Sequence, residues 1–169
     1  MGLFKKIKDA KEAVTRELQE PLKFNISKDA ARKEEQIECP SFAMLRDEEK
    51  LKVLRLIKDF DLSTQELIDK GFADRYVYRF HTAYKYGVKL VPEPSNPYDS
   101  NALKITINGK KAGYVPRGEA PRIKSMMDMG KISAVRFDVM GGPARKIFKD
   151  GTSMALCFDY NPVLTITYF

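Results

Sequence analysis

Apolar residues at Leu3, Ile7, Ala10, Val14 and Leu18 recur every three or four positions, the period of one face of a helix. The stripe predicts a helix over about residues 3–19, stopped by Pro21, whose ring cannot continue a helix. Ser27 suits the cap of a short charged helix reaching about Gln36, and Cys39-Pro40 breaks the chain again. Leu45, Leu51, Leu54 and Ile57 predict a third helix, starting at Ser41 or Asp47 and ending near Phe60. Ser63-Thr64-Gln65-Glu66 forms a capping box for a short fourth helix. Gly71 is a natural left-handed terminator for it.

From Tyr76 onward the pattern changes to aromatic and β-branched runs, which predict strands. Strands are expected over residues 76–82, 88–91, 102–107 and 110–115, the last two joined by Asn108-Gly109. That dipeptide tolerates the positive φ angles of a type I′ hairpin turn. A short helix is expected over residues 120–129, with Gly130 after it. Strands follow at 131–140, 153–160 and 163–169. So many short strands with one helix suit a small barrel or sandwich. The fold expected is α+β: a helical region over residues 1–74, then a small, mostly antiparallel β domain over residues 75–169.

Charge sharpens this division. Residues 1–75 carry 16 Lys and Arg against 16 Asp and Glu, and residues 76–169 carry 14 against 7, so the second half holds the whole net charge of +7. All eight tyrosines lie there too. Positive charge interleaved with rings suits phosphate attraction and base stacking. A solvated basic surface over an aromatic strand core is the plainer reading of the same composition.

Other classes recede. No run approaches the roughly 20 apolar residues that span a bilayer, and no apolar signal-peptide core follows Met1, so a cytoplasmic protein is expected. The two cysteines, Cys39 and Cys157, form no pair in sequence, and His81 is the lone histidine. Neither a disulfide framework nor a zinc site is expected. There is no P-loop, dinucleotide fingerprint or catalytic triad. Glu93 and Asp99 lack the strand-borne lysine that usually accompanies a nuclease carboxylate cluster. No cofactor and no catalysis are expected.

The segment Glu93-Pro94-Ser95-Asn96-Pro97-Tyr98-Asp99-Ser100-Asn101 is too rich in proline for a strand or helix. It predicts a stiff loop that holds polar side chains in place and so loses little entropy on binding. Followed by Ala102, a hairpin and Gly113-Tyr114-Val115, this loop resembles the HIRAN family, over about residues 76–168. The matching positions are Asn96, Pro97, Tyr98, Asp99, Asn101, Ala102, Gly113 and Tyr114.

The resemblance implies a small OB- or SH3-like β-barrel that grips the 3′ end of single-stranded DNA, in a repair, restriction or phage context. HIRAN domains occur fused to helicase-like ATPases or alone in bacteria and phages. By resemblance, Tyr98 stacks on the terminal base, Asp99 accepts from the 3′-hydroxyl, and Asn96 contacts the terminal sugar or phosphate. Arg79, Phe80 and His81 fall on the family's backbone- and base-contacting strand, with His81 where a Tyr is usual. Arg117 falls on its basic position after Gly113-Tyr114-Val115. Read without the resemblance, Asp99 serves equally as a turn cap and Tyr98 as a core residue.

A second function class stays open: a protein-interaction adaptor with no nucleic-acid ligand. It would dock on a partner, or self-associate, through the helical half.

Overall fold

The computed structural model describes residues 31–81 and 83–169, and the helix expected over residues 3–19 lies outside them. Ten strands and three short α-helices are described. The strands are β1 (Lys33–Glu38), β2 (Arg55–Leu56), β3 (Tyr76–Tyr78), β4 (Phe80–His81), β5 (Ala83–Tyr84), β6 (Val88–Pro92), β7 (Leu103–Ile107), β8 (Lys110–Tyr114), β9 (Ile132–Ile147) and β10 (Ser153–Tyr168). The helices are α1 (Asp47–Leu51), α2 (Thr64–Asp69) and α3 (Ala120–Asp128). The strands make a sheet ordered β1-β10-β9-β3 with β5 also on β9, a second sheet β6-β7-β8, and a small ribbon β2-β4.

This arrangement corrects the α+β expectation. Among the described residues the fold is mostly β, its sheets do not close into a barrel, and no helical region precedes them. Residues 33–36, read as the end of a charged helix, lie in β1, which pairs antiparallel with the end of β10. Lys, Glu and Gln favour helices in isolation. Here pairing with β10 and burial of Ile37 decide the conformation, and the flanking charges suit an edge strand. The helix expected to reach residue 60 is broken into α1, the strand β2 and a 3-10 turn at Lys58–Asp61. Leu45 is buried as expected, but Leu51 is exposed.

The second half follows its pattern more closely. The β7–β8 hairpin turns on Asn108 and Gly109 at φ 49° and 77°. The capping box on α2 forms, with Ser63 Oγ accepting from the Glu66 amide and Glu66 Oε2 from the Ser63 amide. β9 is longer than expected, and the two strands expected at 153–160 and 163–169 are one, β10; each has 16 residues. Gly141, at φ 106°, carries β9 past its expected end. A Cβ there would lie 2.1 Å from the Asp159 carbonyl oxygen, so only glycine permits the two strands to stay paired at this bulge.

Phe42, Leu103, Ile105, Ile123, Phe137, Leu164 and Ile166 form the main core between the sheets. A smaller cluster of Leu67, Val77 and Ile147 joins α2 to the far end of the large sheet. Arg145 fastens that end by donating to the carbonyls of Phe60 (2.8 Å) and Leu62 (2.7 Å). No helix among the described residues is long and apolar enough to cross a membrane.

Candidate nucleic-acid interface

The loop between β6 and β7 is tied to itself. The Glu93 amide donates to the Ala102 carbonyl (2.9 Å), the Asn96 amide to that of Glu93 (3.0 Å) and the Ala102 amide to that of Asp99 (3.0 Å). Asn96 Oδ1 accepts from the amides of Tyr98 (3.0 Å) and Asp99 (3.3 Å). Asp99 Oδ1 accepts from the Asn101 amide (2.9 Å). Short Asx side chains satisfying backbone amides in this way are what make such turns stable. Pro94 and Pro97 remove further backbone freedom.

Glu93 anchors the loop to the sheet beneath. Its carboxylate accepts from Lys104 Nζ on β7, from the Tyr114 hydroxyl on β8 at 2.9 Å and from Asn96 Nδ2 at 3.4 Å. The Lys104 ammonium, then Tyr114, hold the Glu93 carboxyl below the usual carboxylate range despite partial burial. Partial burial and the facing carboxylate push the Tyr114 phenol up. Tyr114 is fixed in turn by Ser41, whose Oγ accepts from the Tyr114 amide (2.8 Å) and donates to its carbonyl (2.9 Å). Gly113 lets this contact form: a Cβ there would meet Ser41 Oγ at 2.8 Å.

The result is a presented pair. Tyr98 is 87% exposed, on a loop hydrogen-bonded to itself and to the sheet. Asp99 beside it is only 18% exposed. With one oxygen on the Asn101 amide, its other oxygen, Oδ2, lies 3.9 Å from Arg117 Nε. Arg117 is 82% exposed, so the pair contributes little and leaves the guanidinium available to an anion. Tyr98, Asp99 and Arg117 line two adjoining cavities of about 360 and 450 Å³. Pro40, Ser41 and Tyr114 complete the wall of the first, and Pro121, at the start of α3, borders the second.

The expected site residues therefore fall into two groups. Asn96, Tyr98, Asp99 and Arg117 come together on one side of the loop. Phe80 lines a separate cavity of about 570 Å³ with Arg136 and Met140. The Arg79 guanidinium lies over the Phe60 ring, 5.8 Å from its centre. His81 is placed on β4, opposite Arg55. Sequence reasoning gave no role at this site to Glu93, Tyr114, Pro40 or Ser41. Glu93 and Tyr114 were visible within the motif, but no local signal tied Ser41 to a residue 73 positions away.

No group of three metal-ligating side chains occurs among the described residues. No curated protein and no solved structure gives a match. One protein-family comparison does: residues 71–153 match the HIRAN domain, and the match spans the loop, its supporting sheet, α3 and β9. Residues 71–153 of this chain thus carry a HIRAN domain, a domain that in general binds DNA.

Proposed function

We propose that the loop reads the 3′-hydroxyl end of single-stranded DNA. The observation that carries this reading is the exposed Tyr98 ring beside the half-sheltered Asp99 carboxylate, both on a loop stapled to the sheet through Glu93. A ring offers a stacking face to any base. A carboxylate accepts well from a hydroxyl and repels a phosphate in the same place. Together they favour a strand that ends over one that continues. Arg117 supplies the cation for a nearby phosphate, and Asn96 sets the positions of Tyr98 and Asp99 through their amides. The reading is one of binding without chemistry, suited to processes that expose free 3′ ends, such as repair or restriction.

The test compares oligonucleotides that differ only at the 3′ terminus. The 3′-hydroxyl form should bind at least tenfold more tightly than the 3′-phosphate form, about 1.4 kcal/mol. Asp99→Asn should narrow that gap by removing the charge that rejects phosphate. Equal affinity of wild-type protein for both termini overturns end reading by Asp99. Tyr98→Ala should weaken binding to either terminus by about 1–3 kcal/mol if the ring stacks on a base. Unchanged affinity removes Tyr98 from the interface.

A further inference from the structure

The large sheet carries a second feature that the loop does not use. Tyr76 and Tyr78 on β3 face Lys146 and Ala144 on β9. On the other side of β9, Met154 and Leu156 of β10 are paired with those same two residues, and Phe158 with Gly142. Alternation places all of these side chains on one face of the sheet. The opposite face at this end is occupied by Val77 and Ile147, buried against Leu67. Ala144 and Gly142 are small, so the neighbouring rings meet across the middle strand. Phe158 lies 5.5 Å from Tyr76, edge-on, and 6.0 Å from Tyr78, centre to centre.

These rings are not a finished core. Tyr76 is 45% exposed, Phe158 39%, and Met154 is exposed as well. The cations at the margin are Lys146, whose ammonium sits 4.7 Å from the centre of the Tyr76 ring, and Lys149. The nearby Asp74 carboxylate is already paired with Lys149 at 2.9 Å. Lys146 donates to the Asp74 carbonyl and lies beside the rings, with the Asp74 carboxylate in its field. Tyr78 also lines the cavity that holds Phe80 and Arg136, so the aromatic face runs on into it.

We infer that this face is a stacking platform for the bases of a single-stranded nucleic acid, with Tyr76 and Phe158 as its rings and Lys146 as a phosphate contact. Part-exposed aromatic rings on a sheet with a cation beside them suit a polyanion whose bases are unpaired. A purely apolar protein partner would offer the Lys146 ammonium no further anion. Phe158 lies beyond the 71–153 match, so the platform includes a residue outside the matched domain. It needs no strand end, and its success or failure does not depend on how Tyr98 and Asp99 read a terminus.

The chain has no tryptophan, so Phe158→Trp places a single fluorescent ring in the platform at small structural cost. The probe is a circular oligothymidylate, which has no 3′ end, compared with an abasic sugar-phosphate strand of equal length. The circle should quench the tryptophan at saturation, and the abasic strand should not. Tyr76→Ala combined with Phe158→Ala should weaken binding of the circle about tenfold or more. It should leave the preference for 3′-hydroxyl over 3′-phosphate ends in place. An emission unmoved by saturating circle overturns the platform. So does a folded double variant that binds the circle as the wild type does. If that variant instead loses self-association in sedimentation, the face is a contact between proteins and the inference falls.

Discussion

Glu93 sits among three donors, and that setting has a pH signature. Because Lys104 and then Tyr114 lower its folded carboxyl pKa, its contribution to stability is fully present above the ordinary carboxylate range. That contribution is lost as pH falls through the lowered folded value. Thermal unfolding of wild type and Glu93→Gln should therefore differ most near neutrality, with the gap shrinking as the solution is acidified through that window. A gap that stays constant into strong acid contradicts the assigned contacts. The cysteines give a control at the same scale. Burial pushes the Cys39 thiol up to about 12, whereas Cys157 is exposed. Alkylation of native protein near neutral pH should stop at one thiol, that of Cys157, because only the thiolate reacts.

At the scale of elements, the loop depends on a segment distant in sequence. Ser41 satisfies both backbone groups of Tyr114, and Tyr114 in turn holds Glu93. Ser41→Ala leaves those groups short of partners and should destabilise the protein by about 1–3 kcal/mol in denaturant titration. An unchanged midpoint means that the contact carries no load. What the sequence disclosed divides along the same line. Strands with their own alternation or turn chemistry, such as the Asn108-Gly109 hairpin, and helices with their own caps, such as the one opened by Ser63, were legible. So was the loop character of the proline-rich segment, because proline acts locally. β1 was misread because Lys, Glu and Gln favour a helix until a partner strand about 130 positions away supplies the pairing. The continuity of β9 through Gly141 and Gly142 was hidden for a similar reason. Glycine marks a bulge as readily as a strand end, and the pairing with β10 decides between them.

The described residues present the loop, the Phe80 cavity and the aromatic face on one mostly β framework, and the second half of the chain is basic. The +7 charge is a long-range attraction for nucleic acid but reads no structure in it. In the proposed end recognition, discrimination comes from the loop. The barrel that the resemblance implied is not needed for this, since Glu93, Lys104 and Tyr114 support the loop from an open three-stranded sheet. Phe80, seen as part of one site from the sequence, occupies a cavity apart from Tyr98.

The most direct test of end recognition is competition between linear single-stranded DNA and a covalently closed circle of the same length and base composition. Charge and stacking are shared, so only the end differs. If the loop reads a 3′-hydroxyl terminus, the linear strand binds at least tenfold more tightly than the circle, and Asp99→Asn reduces the difference. If circle and linear strand compete equally, the loop does not read ends, and the affinity belongs to the basic aromatic surface alone.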